Sequence, residues 1–298
     1  MNLQPTIYNM KNTIQLLLAF ALLLSANIYA QDTDPVIEGI VKEANENSQL
    51  ENLAHELLDV IGPRLVGTPQ MEHASKWAIN QYTKWGIEAR QENYGTWRGW
   101  ERGITHIDMV SPRVQSLDGM QLAWNPSTSS EGVTAEAITL PNNIADAEAF
   151  KAWLPNVKGK LVLISMNQPT GRPDYNWEEF ATEESFQKMK DDREALTKEW
   201  RENISRTGYN SRTIIAALED AGAAGLVACN WSRGFGVNKV FSARTKTIPT
   251  VDMELEDYTM IYRMAEYGDK PILKIVAESK ELGEVPTFNT IGEIKGTE

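Results

Sequence analysis

The chain has 298 residues, 42% hydrophobic and 23% charged, a globular composition that excludes a disordered chain. Its formal net charge is −12, from 29 basic and 41 acidic residues. Such a surface repels nucleic acid and anionic lipid, so neither is expected as a partner. The length suffices for two domains of ordinary size.

Residues 1–30 read as an export signal. Lys11 supplies a positive charge, Ile14 to Leu24 form a short apolar run, and Ile28-Tyr29-Ala30 offers a cleavage site before Gln31. The run is shorter than the roughly 20 residues that cross a bilayer. Met10, directly before Lys11, is an alternative start. No Cys follows the cleavage site, which argues against a lipid anchor. The mature protein is expected to be secreted or periplasmic, with no membrane partner. The one cysteine, Cys229, leaves no internal disulfide and is expected to be a buried structural thiol.

Val36 to Val60 has helical spacing, ended by Gly62-Pro63. A second helix is expected from about Gln70 to Trp85, with Gly86 as cap. Ile87 to Tyr94 and Ile104 to Val110 read as two strands, with Trp97 and Trp100 between them. The character changes near Pro112. Asp118-Gly119 marks a turn, and Ser127 to Ser130 with Gly132 marks a loop. Short strands are expected over Val133 to Leu140 and Lys160 to Met166. A polar insert, Asn167 to Asn210, follows. Its centre, Glu178 to Glu202, reads as one exposed helix with Glu184–Lys188 and Glu194–Lys198 pairs. Helix Ile214 to Ala221, strand Gly225 to Cys229, strand Ile248 to Met253, an acidic helix over Glu254 to Tyr267 and strand Ile272 to Ala277 complete the unit. Thr287 to Ile294 then reads as a strand, and no strand follows to pair with it. A domain ending this way reads as cut.

Two local patterns invite a metal. His55-Glu56-Leu57-Leu58-Asp59 places His55 and Asp59 one helical turn apart, like a zincin helix without its second His. A solvated helix face is the plainer reading. His106-Ile107-Asp108 places imidazole and carboxylate on one face of a strand, with no third ligand near in sequence. A structural role is the plainer reading there too. The remaining histidine, His73, is far from both in sequence. There is no Gly-x-Ser-x-Gly elbow and no phosphate-binding lysine loop. Gly222-Ala223-Ala224-Gly225 joins a helix to a strand, the reverse of a dinucleotide fingerprint. No catalytic, metal-binding or cofactor-binding residue is assigned in this chain.

Leu58-Asp59-Val60-Ile61-Gly62-Pro63-Arg64-Leu65-Val66-Gly67-Thr68, a helix, then Gly86-Ile87 resemble the start of the secreted zinc exopeptidases. These are the co-catalytic di-zinc aminopeptidases and plasma glutamate carboxypeptidase-like enzymes. Val157 to Ile164, Ala217 to Val227 and Ile248-Pro249-Thr250-Val251 resemble the protease-associated domain that these enzymes carry as an insertion. Phe288 to Gly296 resembles the strand that returns to the peptidase sheet.

The resemblance implies an α/β fold: an incomplete zinc-exopeptidase domain with an inserted α+β protease-associated domain. It divides the chain into residues 31–112 and 284–298 of the peptidase part, with 113–283 inserted. It implies a peptide substrate and two zinc ions in the full-length protein. The first ligands, a His-x-Asp pair, follow the return strand in the family. No family ligand is carried over, because His106-Ile107-Asp108 precedes the insertion. The expected function is therefore a secreted zinc-dependent exopeptidase of the aminopeptidase type, of which this chain is a non-catalytic N-terminal part. A stand-alone protease-associated binding module is the alternative. A metalloenzyme that uses His55 or His106 together with a partner chain is a third. The charged insert is expected to be either a substrate-selecting arm or a solvated decoration.

Overall fold

The computed structural model describes residues 34–236 and 243–296. The export signal over residues 1–30 lies outside them. The chain divides into two units, residues 1–62 and 63–298.

In the first unit, α1 spans Pro35–Glu46, and the Asp34 side chain caps it by accepting from Val36 N at 2.9 Å. α2 spans Leu50–Ala54 and continues as a π-helix over His55–Ile61, stopping at Gly62 with φ 78°. The single run expected over Val36 to Val60 is therefore broken at Asn47 to Gln49. Asn47 leaves the helical region, and the Ser48 hydroxyl accepts from Leu50 N. Such side chains offer the backbone a local alternative to the helix.

The second unit opens with α3, Pro69–Lys84, which starts at a Thr68 cap and proline. β1 then runs unbroken over Glu88–Ser111 and pairs antiparallel with β8, Ile272–Glu293. The sequence predicts two strands on each side, so this is a correction. The register shifts at Asn93/Gly95, Gly99/Trp100 and Arg102/Thr105 absorb the irregular stretch. Glycines at or beside those shifts mark bulges, which bend a ladder without ending it. The last strand does have a partner, because Thr287 to Glu293 pair with Gly95 to Glu88.

Beyond β1 come β2 (Gln115–Leu117), β3 (Gly119–Gln121) and β4 (Val133–Thr139). After α4 (Ala147–Trp153) and a 3-10 turn comes β5 (Leu161–Leu163). Three helices follow: α5 (Asp174–Phe180), α6 (Glu183–Arg206) and α7 (Thr213–Asp220). Then come β6 (Gly225–Ala228), β7 (Thr250–Met253) and α8 (Leu255–Tyr267). The eight strands form one mixed sheet in the order β2-β1-β8-β4-β5-β6-β7-β3. β4 to β7 are parallel, flanked by antiparallel β8 and β3. The sheet curls until β3 lies beside β1, where Gln121 N donates to Thr105 Oγ1 and the Arg102 guanidinium donates to the Gln121 carbonyl. The fold is mixed α/β.

Strand alternation makes two cores. Leu161, Leu163, Val227 and Val251 face the inside of the curl, which α8 closes with Tyr258 and Ile261. Val162 and Leu226 face outward against Phe150 of α4, Ile204 of α6 and Ile214 and Leu218 of α7.

The charged insert departs from its expected form. It makes two helices, parted where Thr182 caps α6, and α6 buries Phe186, Met189, Arg193, Asn203 and Ile204. These recur at helical spacing, so one face of a polar helix joins the core. Lys188 and Lys198 pair forward, with Asp192 at 2.7 Å and Glu202 at 4.0 Å, instead of back to Glu184 and Glu194.

Glu219 in α7 fixes the approach to β7. Its carboxylate accepts from Lys246 N, Thr247 N, Thr247 Oγ1 and Ile248 N at 2.6–3.3 Å. Partial burial pushes its pKa up, but these donors outweigh burial and hold it below the ordinary 4.5. The stability it contributes is present above pH 4.5 and is lost as pH falls through the lowered folded value. Glu219→Gln is expected to cost about 1–2 kcal/mol at pH 7 and to flatten the acid limb of a stability–pH curve.

Candidate functional site

The residues that invite a metal do not assemble into one. His55 Nδ1 and Asp59 Oδ2 are 2.9 Å apart, but both side chains are exposed on one helix of the first unit. In β1, Ile107 points into the core, which turns His106 and Asp108 to the outer face. There Asp108 Oδ1 accepts from Ser116 Oγ at 2.9 Å and His106 is exposed. His73 is exposed on α3. Among the described residues, no three His, Cys, Asp or Glu side chains gather as metal ligands would. Among the described residues no donor set fits a zinc pair, which needs several His and carboxylate ligands converging on each ion.

Open parallel sheets place ligands at the carboxyl ends of their strands. That edge carries a cavity of about 420 Å3, lined by Ser165, Met166, Trp200, Cys229, Asn230 and Arg244 among others. Several of its polar groups are already engaged. Cys229 N donates to Ser165 Oγ at 2.9 Å, and Asn230 donates from N and Nδ2 to Asp252 Oδ1 at 2.7 and 2.9 Å. Tyr258 Oη donates to the Ser165 carbonyl at 2.7 Å and accepts from Ser165 N at 2.9 Å. Burial, reinforced by the Asp252 charge, pushes the Cys229 thiol up to about 12. The thiol is half-buried and is no nucleophile at neutral pH.

Because the folded value lies above the ordinary 9.0, the thiol's contribution to stability is full below pH 9 and is lost as pH rises toward 12. Alkylation of Cys229 by iodoacetamide at pH 8 is expected to be at least tenfold slower in the native chain than in the urea-unfolded chain. Equal rates would contradict this environment. The crevice can hold a ligand; it offers no base–nucleophile pair of its own.

Two polar nodes escaped sequence reasoning. One centres on Asn125, fully buried, whose backbone oxygen accepts from Trp100 Nε1 at 3.1 Å and Ser279 Oγ at 2.8 Å. Its side-chain oxygen accepts from Thr250 N at 2.9 Å and Thr245 Oγ1 at 3.1 Å. The other is Arg193, buried in α6. It donates to Asp174 Oδ1 at 2.6 Å and to the Arg172 carbonyl at 2.7 Å, and stacks 4.7 Å from the Trp231 ring centre. This clamp ties the insert to the loop after β6. In sequence Arg193 is one more charge in a charged run, and only its spacing from Phe186 and Met189 hints at burial.

No protein-family model matches the chain. It is 26% identical over 255 residues to carboxypeptidase Q of Homo sapiens, covering 85% of this chain and 46% of that protein. It is 26% identical over 270 residues to carboxypeptidase Q of Bos taurus, covering 90% and 50%. Its structure resembles that of a peptidase M28 precursor from Shewanella amazonensis, with a TM-score of 0.56 and 19% identity over 88% of this chain and 54% of that one. The chain spans about half the length of the curated relatives it matches. It is thus similar in sequence to carboxypeptidase Q and similar in fold to that peptidase precursor.

Proposed function

We propose that this chain is the N-terminal portion of a secreted, zinc-dependent exopeptidase that hydrolyses peptide bonds. Residues 31–112 and 284–298 belong to its peptidase part, and residues 113–283 form an inserted protease-associated domain. The observation that carries the reading is the similarity to carboxypeptidase Q over 85–90% of the chain. The pairing of Glu88–Thr96 with Pro286–Glu293 supports it. The chain leaves the β1–β8 ladder at Ser111 and re-enters it at Ile272, some 160 residues later, as an insertion between two strands of one sheet requires.

In this proposal the two zinc ions would activate a water, and their ligands lie outside the described residues. What the chain itself supplies is the ladder on which the peptidase part is built and the inserted domain that continues from it. The substrate is a peptide, with nucleic acid excluded by the acidic surface. No helix among the described residues is long and apolar enough to cross a membrane. Export to the periplasm or beyond rests on the signal read in residues 1–30.

The test is hydrolysis of a free tripeptide, its N-acetylated form and its C-amidated form, with zinc present. The isolated chain is expected to cleave none of them and to take up no stoichiometric zinc. A protein carrying the remaining peptidase segment is expected to cleave the free and amidated forms, as an aminopeptidase does. Zinc-dependent cleavage by the isolated chain would overturn the reading. A stand-alone binding module is the second reading. It is favoured by the curled sheet over residues 105–277, which carries its own two cores.

A further inference from the structure

Between α6 and α8 the surface holds a cavity of about 630 Å3. Volumes of roughly 300–1,000 Å3 suit ligands the size of a short peptide. One wall is α6, with Leu196, Glu199 and Trp200; the opposite wall is α8, with Tyr262 and Arg263. Asn167, just past the carboxyl end of β5, contributes to the lining.

Several groups here lack a hydrogen-bond or ion-pair partner among the described residues, and four of them bear on what the cavity could hold. Tyr262 is only 6% exposed, yet its hydroxyl makes no hydrogen bond with them. Burial and the nearby Glu266 push its pKa up to about 12, so it stays a protonated donor at neutral pH. Asn167 Oδ1 is a buried acceptor without a hydrogen-bond partner. Arg263 and Glu199 are exposed charges of opposite sign, and neither forms an ion pair with another described residue. Buried polar atoms are normally satisfied, so the unpartnered Asn167 oxygen points to something that fills the cavity.

The inventory selects among ligands. A neutral oligosaccharide would leave Arg263 and Glu199 unmatched. A nucleotide would bring phosphates against the Glu199 and Glu266 carboxylates. A purely apolar ligand would leave Tyr262 and Asn167 unsatisfied. A short peptide supplies all the complements: a backbone carbonyl for Tyr262, a backbone N–H for Asn167, a carboxylate for Arg263, an ammonium for Glu199 and an apolar side chain against Trp200 and Leu196.

We infer that the cavity between α6 and α8 is a non-catalytic binding site for a short peptide with free ends. This goes beyond the peptidase reading, since it concerns binding by the chain's own residues and stands whether or not the chain is part of an enzyme. It also assigns the charged insert a role: α6 is one jaw of the site.

The test is isothermal titration of the isolated chain with Ala-Leu-Ala, with the same peptide acetylated and amidated, and with maltotriose. Saturable binding of the free tripeptide below about 1 mM is expected. Capping both ends is expected to weaken it about tenfold, the effect of losing charge-assisted contacts. Arg263→Ala alters an exposed side chain and is expected to weaken binding of the free peptide about threefold, one of the two end contacts, while leaving the capped peptide unchanged. Tyr262→Phe keeps the ring and is expected to weaken both peptides several-fold. Thermal melts confirm that each variant is folded. No binding of Ala-Leu-Ala, equal binding of free and capped forms, or tighter binding of maltotriose would each overturn the inference. Peptide integrity is followed in the same cell, so that cleavage, which bears on the peptidase reading, is scored apart from binding.

Discussion

Trp100→Ala is expected to lower the stability of residues 63–298 by about 3–5 kcal/mol, the range for removing a buried large aromatic side chain. Trp100 is 1% exposed and sits at a register shift in the middle of β1. Its indole N–H donates to the Asn125 carbonyl, and the Arg102 guanidinium stacks 4.8 Å from its ring centre. Burial lowers the Arg102 pKa to about 10, yet the group remains charged at neutral pH and donates to the Gln121 carbonyl. Removing the ring opens a cavity beneath this guanidinium and leaves the Asn125 node one donor short. Trp100→Phe separates the two losses and is expected to retain most of the packing. Urea midpoints read both effects, and an alanine variant within 1 kcal/mol of wild type would show that Trp100 does not pin this joint.

Gly67→Ala is expected to cost about 3 kcal/mol. Gly67 has φ +78°, and a Cβ there would lie 2.6 Å from the Arg98 carbonyl oxygen and 3.1 Å from Trp97 Cδ1. The first of these is backbone and cannot swing aside, so overpacking adds to the conformational cost of a left-handed alanine. The close approach is used, because Gly67 O accepts from Trp100 N at 3.0 Å and straps the chain before α3 to the β1 ladder. Gly86→Ala is the control. Its φ is similar, +75°, but nothing lies within 4 Å of its Cβ, so about 1 kcal/mol is expected. Equal losses at the two positions would remove the strap from the account. Trp100→Ala and Gly67→Ala act on one joint, so their combined effect should fall short of the sum.

Much of the fold was legible where local and global preferences agree. The helix expected from about Gln70 forms as α3, the apolar runs at Leu161 and Gly225 announce buried strands, and Gly222 closes α7 with φ +88°. The long β1–β8 ladder was not legible. Gly95, Gly99 and Gly103 resemble loop residues, and only partners nearly 200 residues away turn them into bulges. The break at Asn47 to Gln49 lost to an apolar spacing that runs across it. The buried face of α6 was masked by its charge, although Phe186, Met189 and Arg193 carry the spacing. The site was less legible still. His55 with Asp59 and His106 with Asp108 are visible as motifs, but the fold leaves each pair isolated. Tyr262 and Asn167 matter only because α6 and α8 come together, and nothing local marks either residue.

The most direct measurement of the central claim is the coding DNA past the codon for Glu298. The account predicts an open frame that adds further peptidase strands with a His-x-Asp pair, as the resemblance to zinc exopeptidases implies. A stop codon directly after Glu298 would contradict it and leave a binding module whose chemistry is that of the cavity between α6 and α8.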